Sequence, residues 1–158
     1  KELELVFSKR YDDIRMTEIA EVANVGRSTL YQHFPDKDSI LIANMDWVLK
    51  GLRLTADGSE AAEDVAEVLE HVWEHRVQAR RLLFGVTGEK LEAALSAVIL
   101  DEFGQGRRTD IPAVLTASQI SAAVFSGIRT WLRGEASCAP DVLAQELCRV
   151  SAALRGKT

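Results

Sequence analysis

The segment MTEIAEVANVGRSTLYQHFPDKDSIL, residues 16–41, leaves little freedom in how the chain around it can fold. Met16, Ile19, Ala20, Val22 and Ala23 recur at helical spacing and give one apolar face to a short helix. Thr17 or a neighbour can cap its start. Asn24 follows, a residue that tolerates left-handed backbone, and Val25 is expected to plug the turn into the core. Gly26 can serve as N-cap of a second helix, Arg27 to Phe34, with Leu30 and Phe34 inward at i and i+4. Pro35 stops that helix because it cannot continue the hydrogen-bond ladder. Asp36 then caps a helix predicted to run from Lys37 towards Leu54, with Ile40, Leu41, Ala43, Asn44, Trp47 and Val48 near one side.

Helix, tight turn and short second helix make a helix-turn-helix, the layout that inserts its second helix into the DNA major groove. The residues left pointing out have the matching chemistry. Arg27 and Gln32 can pair with base edges, and Ser28 and Thr29 with bases or phosphates. Tyr31, His33 and Lys37 can donate to phosphate oxygens, which fixes register without reading sequence.

The set Phe7, Tyr11, Ile19-Ala20, Ala23, Val25, Thr29-Leu30-Tyr31, His33-Phe34, Lys37 and Leu41 resembles the pattern of the TetR family of transcriptional regulators over roughly the first third of the chain. The resemblance implies an all-α homodimer. An N-terminal three-helix helix-turn-helix domain, placed at residues 1–45, precedes a helical effector-binding and dimerisation domain at 46–158. It also implies Tyr31, His33 and Lys37 as phosphate contacts, Arg27, Ser28, Thr29 and Gln32 as the base-reading set, and Thr17 near the DNA backbone. Three positions depart from the pattern: Arg10 and Asn24 stand where the family has glycines, and Gly26 where it has a serine at the start of the recognition helix. The opening KELELVF reads as the middle of a helix, so a preceding turn or two and a basic arm are expected beyond it.

The 158 residues are 47% hydrophobic with three prolines and carry a net charge of −5. Together with scarce β-branched alternation this favours an all-helical chain with an ample core. No apolar run approaches a membrane span and no secretion signal is visible, so a cytoplasmic protein with no membrane partner is expected. Residues 1–50 hold seven Lys/Arg against nine Asp/Glu. Attraction to DNA must therefore be local, from Arg27, His33 and Lys37, with Asp12, Asp13 and Glu21 expected to face elsewhere. Cys138 and Cys148 read as reduced, packed thiols.

Beyond the fourth helix, Asp57-Gly58-Ser59 breaks the pattern. Glu60 to about Leu83 reads as one helix, Thr87-Gly88 as punctuation, and Lys90 to Phe103 as another helix. Residues 104–109 read as a flexible loop, Ala113 to Arg133 as a helix ended by Gly134, and Pro140 as the opening of the last helix. The last two helices are apolar over broad faces and carry small residues. The resemblance implies that residues 112–155 form a four-helix bundle with a second copy. Such a twin would hold two recognition helices about 34–36 Å apart, one DNA turn.

Candidate effector residues are the aromatics Trp47, Trp73, Phe84, Phe103 and Phe125, with His71, His75 and Arg129 as polar partners. His71 and His75 stand at a spacing that can chelate a metal. Glu70, Glu74 and the distant cysteines are only possible third ligands, so no metal site and no cofactor are expected. No nucleophile elbow, phosphate loop or paired-carboxylate signature points to an enzyme. The expectation is a ligand-responsive transcriptional regulator, a repressor. As a homodimer it would bind a palindromic double-stranded DNA operator, and an unknown small apolar effector would release it. The alternative is a helical protein-interaction module whose helix-turn-helix is a scaffold.

Overall fold

A computed structural model describes residues 11–103 and 110–156. These residues are helical with no strand among them, and the chain divides into two compact units, Lys1–Asp46 and Trp47–Thr158.

The N-terminal unit shows a 3₁₀ turn at Tyr11–Asp13, then α1 (Met16–Ala23), α2 (Arg27–His33) and α3 (Lys37–Asn44). The expected first helix, with Phe7 and Arg10, lies outside the described residues. Arg15, not Thr17, is the N-cap of α1, with no side-chain cap bond. Asn24 ends α1 at φ 56°, the left-handed conformation expected of it. The Val25 N–H closes the turn on the Ala20 carbonyl at 3.0 Å. The Val25 side chain does not plug the core; it is 41% exposed. Gly26 caps α2 in an extended conformation, and the Asp36 carboxylate accepts from the Ser39 N–H at 2.8 Å at the start of α3. Tyr11, Ile14, Ile19, Ala20, Leu30, Ile40 and Leu41 form the buried set.

The helix expected from Lys37 to Leu54 is divided. It stops at Asn44, whose side-chain amide donates to the Ile40 carbonyl at 2.8 Å in competition with the backbone ladder. A separate helix, α4, spans Asp46–Arg53 and tightens into 3₁₀ turns at Leu54–Asp57 and Ser59–Ala61. The helix expected from Glu60 to Leu83 is likewise two, α5 (Ala62–Glu74) and α6 (Arg76–Leu83), separated at His75 with φ −111° and ψ 31°. Gly88 does not interrupt a helix. It lies inside α7 (Val86–Phe103), where a Cβ would overlap the Leu83 backbone, so it permits the close approach of that turn. The predicted loop 104–109 lies outside the described residues. Pro112 is the N-cap of α8 (Ala113–Leu132), and Pro140 opens α9 (Pro140–Arg155) at its first turn.

In the second unit α8 packs on α7 and α9, and α9 also packs on α5 and on the 3₁₀ turn Leu54–Asp57. Val65, Leu69, Leu95, Ile99, Ile120, Val124, Leu132 and Ala144 are completely buried there. Each large aliphatic side chain removed from water contributes on the order of 1.5–3 kcal/mol. Much of the apolar breadth of α8 thus faces its own core, including Phe125, Ile128 and Trp131. Val114 and Leu115 at its start and Val142 on α9 stay outside. Two buried hydroxyls find backbone carbonyls: Thr55 Oγ1 donates to that of Leu52 at 2.8 Å, and Ser121 Oγ reaches across to that of Glu92 on α7 at 2.6 Å.

Candidate nucleic-acid interface and effector cleft

Leu30 is the only buried residue of α2, and it orients the helix. At 3.6 residues per turn Ser28 and Gln32 fall on the side opposite Leu30. Arg27 and Tyr31 flank them on one side, Thr29 and His33 on the other. All six are exposed, Tyr31 by 46%. Seven residues thus present a continuous polar surface of guanidinium, amide, hydroxyl and imidazole groups, as major-groove contact requires.

Lys37 has a second engagement. Its ammonium donates to the Tyr11 carbonyl at 2.9 Å and the Asp12 carbonyl at 3.2 Å, and lies over the Tyr11 ring. An ammonium has three donors, so at most one remains for a phosphate. The Tyr11 hydroxyl donates to the Asp38 carboxylate. Burial, then that bond and the neighbouring carboxylates, push the Tyr11 phenol well above its ordinary range. Both contacts clamp the 3₁₀ turn to α3.

Thr17, Ala20, Glu21, Asn24, Val25, Gly26 and Arg27 line a shallow hollow beside the start of α2. Thr17 is half-buried in it. Glu21, an exposed residue, is thus among those that line this hollow with Arg27. Only its position one turn before Asn24 could have signalled this.

None of the clefts formed by described residues alone gathers the effector candidates together. Phe125 is core, at 3% exposure. Trp73 stacks on Trp131 at 4.8 Å. Phe84 lies beneath Arg133 and Phe103 beneath Arg155, each cation 4.5 Å from the ring centre. Arg129 is a structural tie: its Nε donates to the Leu83 carbonyl at 2.9 Å and its Nη1 to Glu92 at 3.0 Å. His71 packs edge-on against Trp47, with centroids 5.3 Å apart, and meets His75 at 4.5 Å. Burial, and then His75, hold His71 below the ordinary imidazole range, while Glu74 opposes them.

Of these eight residues only Trp47 lines a cleft of about 560 Å³ in the second unit, between α4, α5 and α7. Its other walls are Lys50, Gly51, Arg53 and Leu54, Asp64, Glu67 and Val68, then Val98, Asp101 and Glu102. Sequence reading missed the charged ones because it searched for aromatics. The signal available was the i,i+3 pair Asp64 and Glu67, on a helix whose apolar stripe lies elsewhere. Arg53 lies 3.9 Å from Glu102 and 3.7 Å from Asp57. Four carboxylates and two cations stand around its rim.

No helix among the described residues is long and apolar enough to cross a membrane. Comparison with curated proteins and with solved structures returns no match. Residues 3–43 match the model of the bacterial regulatory proteins of the tetR family, a span that contains α1, the Asn24 turn, α2 and most of α3. The N-terminal unit therefore matches the TetR-family helix-turn-helix domain, the module that DNA-binding transcription regulators carry.

Proposed function

We propose that the chain is a ligand-responsive repressor rather than an enzyme or a scaffold, acting as a homodimer on a palindromic operator. The observation that carries this reading is the outward face of α2, where Ser28 and Gln32 stand opposite the buried Leu30. A scaffold has no use for six exposed hydrogen-bonding side chains on seven residues, whereas base and phosphate contacts need them. Arg27, Ser28, Thr29 and Gln32 are the base readers; Tyr31 and His33 hold phosphates, with Thr17 beside them and Lys37 contributing one donor.

Residues 112–155 are the dimer contact. Val114, Leu115 and Val142 are exposed there at 56%, 48% and 52%, and the exposed small residues Ser118, Ala122 and Ser126 on α8 allow close helix approach. The effector site is the cleft beside Trp47. Its charged rim suits a small molecule with polar groups around one aromatic contact. Such a ligand acts only by preferring one of two conformations, and the affinity change is reciprocal.

The test is binding of the full-length chain to duplexes from its own promoter region at several salt concentrations. The expected result is a dimer on a palindromic site, with affinity falling as salt rises. Tyr31→Phe should weaken binding to all sequences alike, and Arg27→Ala or Gln32→Ala should change which sequence is preferred, by about 1–3 kcal/mol per contact. A monomer indifferent to all three substitutions would establish the scaffold reading instead.

A further inference from the structure

We propose that His71, Glu74 and His75 form a binding site for a divalent transition-metal ion, of the zinc, cobalt and nickel class. One ligand atom from each residue can be chosen so that all lie within 4.8 Å of one another. Around a zinc ion with ligands at about 2.0–2.2 Å, ligand atoms stand a little over 3 Å apart, so small side-chain rotations close the set. The three positions are i, i+3 and i+4, one patch on the last turn of α5.

The second argument is orientation. His75 Nδ1 lies 3.0 Å from the His71 carbonyl oxygen. A carbonyl oxygen only accepts, so Nδ1 carries the proton and the lone pair is on Nε2. A backbone carbonyl on the rear nitrogen is the support that typically fixes a metal-ligating imidazole. The His71 ring is held edge-on by Trp47 at 5.3 Å and an interplanar angle of 87°. Both rings are half-buried and Glu74 is exposed, so three protein ligands face a solvent side where water completes the coordination.

Two nitrogens and one carboxylate oxygen suit borderline ions, and not calcium or magnesium, which take oxygen sets. The spacing of the two histidines alone was not enough to predict this. What the structure adds is Glu74 in the same cluster and the fixed tautomer of His75. The site belongs to the second unit and does not depend on the repressor reading.

The experiment is calorimetric titration of the metal-stripped full-length chain with zinc chloride, with magnesium chloride as control and cobalt absorbance as a second readout. One zinc per chain, no magnesium heat and a visible cobalt band are expected. His71→Ala and His75→Ala should each lower zinc affinity at least about tenfold, Glu74→Gln by less, and His33→Ala, the remaining histidine, not at all. Circular dichroism checks the fold. Should His75→Ala disturb the break between α5 and α6, His71→Ala still decides, because it leaves the His75 bond to the backbone carbonyl in place. Absence of zinc heat and cobalt absorbance in the unaltered chain, or undiminished affinity in the His71→Ala variant, would overturn the assignment.

Discussion

Lys37 holds Tyr11 from two directions: its ammonium donates to the Tyr11 carbonyl at 2.9 Å and lies 4.5 Å from the centre of the Tyr11 ring. Removing the charge with Lys37→Met leaves two carbonyls without their donor and leaves the Tyr11–Asp38 bond alone to hold the 3₁₀ turn to α3. Hydrogen bonds to charged groups contribute about 1.5–3 kcal/mol, less where water competes. A loss of about 1–2 kcal/mol in unfolding free energy is expected, together with weaker DNA binding on every sequence. Tyr31→Phe should weaken DNA binding with unfolding unchanged. Denaturant melts beside binding isotherms separate the two; equal melts for both would mean that Lys37 serves the phosphates alone.

Glu21 shares its hollow with Thr17 and Arg27, beside the first turn of α2. A carboxylate there repels the phosphate backbone as DNA approaches. Glu21→Gln keeps the shape and removes the charge, so affinity for arbitrary duplexes should rise severalfold at low salt, and less at high salt as screening shortens the interaction. A fall confined to the cognate sequence would show instead that Glu21 accepts from a base edge, as carboxylates do from cytosine.

The helix-turn-helix was legible because local rules determine it. Asn24, Gly26, Pro35 and Asp36 each act within a few residues, and each ends or starts a helix where expected. The divisions at Met45 and His75 were not legible, because apolar periodicity continues across them. At the first, the Asn44 amide competes for a backbone carbonyl. Gly88 was misread for a related reason: a glycine that permits contact with the Leu83 backbone looks, in sequence, like one that ends a helix. The lining of the cleft beside Trp47 was least legible of all. Which aromatic lines a cleft is decided by packing between helices far apart in sequence, so Phe125 became core while Lys50 and Glu67 became walls.

Ser151 is completely buried on α9, and its hydroxyl has no hydrogen-bond partner among the described residues. An unsatisfied buried hydroxyl costs about 1–3 kcal/mol, and alanine is the better helix former. Ser151→Ala should therefore stabilise the second unit by up to about 1 kcal/mol, allowing for the small void left behind. Thermal unfolding measures it; destabilisation by a similar amount would reveal a partner for the hydroxyl.

The two thiols should differ in reactivity. Cys148 is fully buried on α9, and burial, with Asp57 adding to it, pushes its thiol up to about 11. Thiolate is the reactive form, so near pH 8 this group is both protonated and inaccessible. Cys138 is only half-buried, in the segment before Pro140. A disulfide reagent at pH 8 should therefore titrate one thiol in the folded chain and two after denaturation, and Cys138→Ser should abolish the fast reaction. Raising the pH to 9.5 should leave Cys148 silent, since its thiolate fraction is still small and access still requires opening of the helical core. Rapid reaction of both thiols in the native protein would show that the α9 packing opens on the timescale of the assay.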